Sequence, residues 1–73
     1  MGHKEYRKTK GMYYILDPIA GDYYQGKENG MERYTKDLWN AKVYKVLGMA
    51  FAAMDNLGTG YVVVDANGKK YER

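Results

Sequence analysis

The chain has no cysteine and no serine, and its one histidine, His3, stands near the start. Lack of cysteine removes disulfides, thiolate metal sites and thiol nucleophiles, and fits a reducing cytoplasm. Lack of serine, with a single imidazole close to the terminus, leaves most nucleophile–base–acid arrangements impossible to assemble. Long hydrophobic runs are missing too. The longest clean one, Tyr61-Val62-Val63-Val64, is far below the roughly 20 residues that a membrane span needs. No secretory signal pattern is read, and Tyr6 stands where a myristoylation signal needs Ser or Thr. Together these absences argue against an enzyme and against a membrane protein, and place the expected setting in the cytoplasm.

What is present reads as one small globular domain: 73 residues, 45% apolar and 29% charged. The formal net charge is +3, and its location matters more than its size. Residues 1–10 hold Lys4, Arg7, Lys8 and Lys10 against Glu5, which accounts for all of it. From residue 11 onward eight basic residues meet eight acidic ones. A nucleic-acid reader normally carries fixed cations along a folded surface, because affinity comes from displacing many counterions. Here the body is neutral. We therefore read residues 1–10 as a basic, flexible arm and residues 11–73 as a single domain, with nucleic acid reached through the arm kept as a lesser alternative.

Residues 12–16 read as a first strand, stopped at Asp17-Pro18 because proline lacks the amide that a ladder needs. Gly21 and Asp22 complete a turn into a second, antiparallel strand at 23–25, and Asn29-Gly30 marks the next turn. Thr35 is read as an N-cap with Asp37 in the first turn, opening a short helix at 36–41. Leu38 and Ala41 fall off the apolar arc formed by Val46, Leu47, Ala50, Phe51, Ala53, Met54 and Leu57. A break is therefore expected near 42–44, with the main helix over 45–57 and Gly58 at its C′ position. Tyr61 to Asp65 is the strongest strand signal, Asn67-Gly68 reads as a type I′ pair, and 69–72 forms the last strand. The expected fold class is α+β: an antiparallel sheet in the order β-β-α-β-β with one main helix packed on one face.

That arrangement raises a burial question. The first strand sets Tyr13 and Ile15 on one face and Met12, Tyr14 and Leu16 on the other. The Tyr61–Val64 segment alternates likewise, so both sheet faces are apolar while one helix covers only one of them. A chain of this size buries only about 60% of its unfolded surface. The uncovered face or an exposed strand edge is thus expected to form a homodimer or to receive a different protein.

No motif selects a chemistry. Gly58-Thr59-Gly60 follows a helix and enters a strand, the reverse of a dinucleotide fingerprint, and reads as a cap and turn. Asp17, Asp22 and Asp65 lack the spacing of a calcium loop and read as turn formers. No catalytic residue, cofactor or metal ligand is assigned. Nine tyrosines are the unusual feature, since phenol rings give large, rigid contact area with a polar tip. Core packing and interface contact are equally compatible with them. The residues read as protein contacts are Tyr14, Tyr23, Tyr24 and Tyr71, with Lys8 and Lys10 as auxiliaries.

The run Tyr13…Asp17…Gly21-Asp22-Tyr23-Tyr24-x-Gly26, then Thr35-x-Asp37-Leu38-x-x-Ala41-x-x-Tyr44, an alanine-rich helix and Tyr61-Val62-Val63-Val64 resembles small proteins encoded by bacteriophages and prophages. The resemblance spans about residues 12–65 and is carried by turns, caps and core positions. It implies a ββαββ fold in a phage setting, of the anti-CRISPR or anti-defence inhibitor type. The expected function is that of a non-enzymatic binding protein which inhibits a host defence complex in the bacterial cytoplasm by occupying a functional surface. Two alternatives stay open: an oligomeric sponge for a small nucleotide signal, with Arg33 among its pocket residues, and a nucleic-acid-associated protein that uses the arm.

Overall fold

An apolar strand flanked on both edges needs hydrogen-bond partners on both, and β1 (Lys10–Asp17) obtains them from three other strands. The computed structural model describes residues 10–72, and of Lys10 only the backbone. The expected arm, Lys8 included, lies outside the described residues. After β1 come β2 (Asp22–Glu28), β3 (Met31–Thr35), a one-turn 3-10 helix at Leu38–Asn40, β4 (Tyr44–Val46), α1 (Leu47–Leu57), β5 (Val62–Asp65) and β6 (Lys70–Tyr71). The fold is α+β, an antiparallel sheet of six strands with one main helix.

The sheet runs β3-β2-β1-β5-β6, with β4 paired to β1 off this path. β5 takes one edge of β1 through Tyr13↔Asp65, Tyr14↔Val64, Ile15↔Val63 and Leu16↔Val62. The other edge is shared. β2 pairs at Leu16↔Tyr23 and Asp17↔Asp22, and β4 pairs at Lys10↔Val46 and Tyr13↔Tyr44. β2 can yield that edge because its register shifts between Tyr24 and Gly26, where Gly26 takes φ +115. That is a left-handed backbone which a side chain would strain. The Lys42 amide donates to the Tyr24 carbonyl at 2.9 Å, joining the two partial partners.

Strand alternation sends Tyr13, Ile15, Val63 and Tyr71 to one face and Met12, Tyr14, Leu16, Val62 and Val64 to the other. α1 lies on the first. Its Leu47, Ala50 and Phe51 recur at helical spacing and close a core with Tyr13 and Val63, flanked by Tyr44, Met54 and Tyr71. The helix ends at Gly58, whose amide donates to the Met54 carbonyl at 3.2 Å.

Several expectations are corrected. The strand read at 12–16 extends over Lys10–Asp17, and the one read at 23–25 over Asp22–Glu28. β3 and β4 were not expected at all. The helix read at 36–41 is only the 3-10 turn Leu38–Asn40, and the main helix starts at Leu47 because Tyr44–Val46 is drawn into the ladder on β1. The type I′ turn is at Asn29-Gly30, where both residues have positive φ (55 and 79) between the paired Glu28 and Met31. At Asn67-Gly68 only the glycine is left-handed (φ 86), and the Gly68 amide donates to the Asp65 carbonyl, so this loop is a longer turn closed by a glycine.

The second face is also not open as expected. Val64 is 1% exposed and Tyr14 5% exposed on the side of the sheet away from α1. The chain's own 35–41 turn reaches that side: half-buried Leu38 lines a groove with Met12, Tyr14 and Ala66, and exposed Trp39 borders it. The premise of a bare sheet face behind the expected homodimer therefore does not hold at its centre.

Candidate functional site

The turn that covers the second face is built by short polar side chains. The Thr35 hydroxyl accepts from the Asp37 amide at 3.0 Å, and Asp37 Oδ1 accepts from the Trp39 amide at 3.0 Å. Asp37 Oδ2 accepts from Asn40 Nδ2, and the Asn40 amide donates to the Asp37 carbonyl, both at 3.0 Å. Asp37, not Thr35, is thus the N-cap, as suits a carboxylate before unpaired amides. Lys36 ties the turn to the end of the sheet, with Nζ 2.7 Å from Asp22 Oδ1 and 3.0 Å from the Ala20 carbonyl.

The one tryptophan of the chain sits on this braced turn. Trp39 is 94% exposed, while its neighbour Leu38 is half-buried. Beside the indole lies a groove of about 260 Å³ lined by Met12, Tyr14, Leu38, Trp39 and Ala66, with no charged side chain among them. Its volume suits a side chain rather than a lone water, whose share of liquid volume is about 30 Å³. Met12 on its rim is itself 50% exposed. Ile19, Met31 and Met49 are exposed as well, but none of them lines the groove. A scattered apolar side chain needs no explanation; an exposed indole on a braced turn beside an apolar groove makes this the candidate contact surface.

The residues read from sequence as contacts divide between the two faces. Tyr14 forms the floor of the groove, and its ring meets the half-buried Tyr23 edge-on at 6.3 Å. Tyr24 and Tyr71 belong to the other face. Tyr24 is 8% exposed and its hydroxyl donates to Glu32 Oε1 at 2.8 Å. Tyr71 sits edge-on to Tyr13 at 5.3 Å and donates to Asp65 Oδ2 at 3.1 Å. Tyr14 and Tyr24 are therefore core residues with little surface to offer a partner. Of the two lysines, Lys8 lies outside the described residues and only the backbone of Lys10 is described. Trp39, Met12 and Leu38 were missed. The available signal was that Leu38 falls off the main helix arc, which marks a separate packing role for its turn.

A second cluster occupies the wing of the sheet beyond α1. Tyr34 and Tyr61 stack at 6.3 Å with their hydroxyls 2.9 Å apart, and Tyr24 meets Tyr34 edge-on at 5.8 Å. Burial, then the hydrogen bond to Glu32 and its charge, push the Tyr24 phenol up to about 12. Burial and the bond to Tyr61 push Tyr34 up as well, and burial raises Tyr44. The fold favours the neutral phenols, so this contribution to stability is complete below the ordinary phenol value of 10.0 and is lost as the pH rises from there through about 12. Phenolate absorbance is expected to titrate late and together with a fall in the urea midpoint. Ordinary tyrosine titration with an unchanged midpoint would contradict the cluster.

The acidic residues weighed as metal ligands have structural partners. Asp17 Oδ1 accepts from the Ile19 and Ala20 amides, and Asp22 pairs with Lys36. Asp65 Oδ1 accepts from the Asn67 and Lys69 amides, and the Lys69 amide bond above all lowers its carboxyl below the usual range. Arg33 stands at the bulge of the β2–β3 hairpin with Nε 3.4 Å from Glu28 Oε1. No helix among the described residues is long and apolar enough to cross a membrane. No protein-family model, curated protein or solved structure matches the chain.

Proposed function

We propose that this chain is a non-enzymatic binding protein that seats Trp39 and the groove beside it on a host defence protein, and so blocks a surface which that protein needs. The observation that carries the reading is the water-exposed indole on a turn braced by Asp37 and Lys36. A rigid aromatic side chain loses little conformational entropy on binding, and tryptophan is among the residues whose truncation costs an interface most. The apolar groove would take a side chain from the partner. The target class rests on the resemblance to phage-encoded inhibitors. The expected homodimer, through this face or an exposed strand edge, is a competing use of the surface, and mass by light scattering tells whether a second copy binds at all. Arg33 lines a polar groove of about 180 Å³ with Gln25, Lys27 and Glu28, but no tyrosine lines it and Glu28 sets a carboxylate 3.4 Å from Arg33 Nε, so the nucleotide-sponge alternative has the weaker support.

The test is to express the chain in bacteria that each carry one defined defence system and to measure phage plating. The wild-type protein is expected to restore plating against at least one system. With that target purified, Trp39→Ala is expected to lose about 2 kcal/mol of binding, roughly 30-fold in affinity, with its melting temperature unchanged. A wild-type chain inert across the panel removes the anti-defence target class. A Trp39→Ala variant that binds as well as wild type removes this face as the contact.

A further inference from the structure

The chain carries the pair Asn-Gly twice, at Asn29-Gly30 and Asn67-Gly68, and the fold holds the two differently. We infer that Asn29-Gly30 is a spontaneous modification site, where the asparagine is converted to aspartate and isoaspartate in the folded protein well ahead of Asn67. The chemistry needs only the chain and water. The Gly30 amide nitrogen attacks the side-chain carbonyl carbon of Asn29. The new C–N bond closes a five-membered succinimide, and the old one breaks to release ammonia, which carries away the proton of the Gly30 amide. Water then adds to either ring carbonyl, giving aspartate or, by the other opening, isoaspartate with one extra carbon in the main chain.

The nucleophile must be free and unhindered. Gly30 has no side chain, nothing stands within 4 Å of where a Cβ would be, and both turn residues are exposed. Neither the Gly30 amide nor the Asn29 side chain has a hydrogen-bond partner among the described residues. Asn67-Gly68 is equally open sterically but is strapped down. The Gly68 amide, the nucleophile there, donates to the Asp65 carbonyl at 3.0 Å, the Asn67 amide donates to Asp65 Oδ1 at 2.9 Å, and the Asp65 amide donates to the Lys69 carbonyl at 3.0 Å. Attack at Gly68 must first break such a bond. The remaining asparagines, Asn40 and Asn56, precede Ala41 and Leu57, whose side chains obstruct ring closure.

Location gives the reaction a consequence. Asn29-Gly30 joins β2 to the edge strand β3, and its two left-handed residues set the pairing that begins at Glu28↔Met31. An added main-chain carbon does not fit that two-residue turn. Isoaspartate at residue 29 therefore loosens β3 and with it the Tyr24–Glu32 and Tyr34–Tyr61 bonds, whereas the Trp39 turn keeps its own braces on Asp37.

The test incubates the full chain in mildly alkaline buffer below its melting temperature, digests it, and quantifies both Asn-Gly peptides by mass and by isoaspartyl methyl-acceptor capacity. Asn29 is expected to convert about fivefold faster than Asn67, the factor that one ordinary hydrogen bond on the nucleophile supplies. The same incubation in concentrated urea is expected to bring the two rates together. Equal rates in the folded chain, or a faster Asn67, overturn the proposal. So does a preference for Asn29 that survives unchanged in urea, since the fold would then not be its cause.

Discussion

Phe51→Ala is expected to cost about 3–5 kcal/mol, the range for emptying a buried aromatic site. The ring is 2% exposed and packs with Tyr13, Leu47, Ala50 and Val63 between the helix and the sheet. At roughly 0.05–0.15 kcal/mol per residue, a chain of this length has about 4–11 kcal/mol in total. The variant therefore loses between about a quarter and all of its stability. Urea unfolding followed by circular dichroism reads this directly, as a shift of the midpoint well below that of wild type. An unchanged midpoint would mean that α1 does not rest on this face of the sheet.

Tyr14→Ala has the second largest expected effect, about 3 kcal/mol, and it separates two views of the same residue. Read from sequence, Tyr14 is a contact residue on an open face, where substitution changes stability by no more than about 0.5 kcal/mol. In the structure it is 5% exposed, edge-on to Tyr23, at the floor of the groove that Leu38 also lines. Urea midpoints measured in dilute solution, where no second copy can contribute, decide between them. The Leu38→Ala variant and the double variant complete the argument. If the 35–41 turn covers Tyr14, the two substitutions are expected to be non-additive by about 0.5 kcal/mol or more. A fully additive pair together with a stable Tyr14→Ala variant would reopen the second face.

That face matters for function because its cover leaves only a narrow surface. With the centre closed by Leu38, the apolar area still available is Trp39, Met12 and the groove between them. Under the proposed function a partner would engage the turn and not the flat of the sheet, and the tyrosines would act mainly in the fold. Tyr13, Tyr14 and Tyr24 are buried, and Tyr34, Tyr61 and Tyr71 spend their hydroxyls on neighbours within the chain.

Much of the architecture was legible wherever a pattern is local. Both sides of the Tyr13–Ile15 segment are apolar because β1 is flanked and covered on both faces. The Leu47–Ala50–Phe51–Met54 spacing marks a helix with one buried side. Gly58 ends that helix, and the antiparallel pairing of the first two strands follows from the tight Asp17–Asp22 turn. The missed elements share a cause. β3 carries Glu32 and Arg33 and has four of its five residues exposed, so no buried face imposes alternation on its sequence. β4 is three residues long, and its Val46 also fits the helical arc that follows. Asn67-Gly68 shares its dipeptide with the Asn29-Gly30 turn. Asp65 accepts from the Asn67, Gly68 and Lys69 amides, which selects a longer loop at the second site.

Read alone, then, the chain decides the fold class, the position of its helix, its main strands and most of its turns. Each depends on the sterics and periodicity of residues a few positions apart. Only the folded molecule decides which surface is left for a partner. That outcome turns on Leu38 and Trp39 bordering one groove with Met12, Tyr14 and Ala66, and a groove shared by residues so far apart in sequence leaves no local pattern to read.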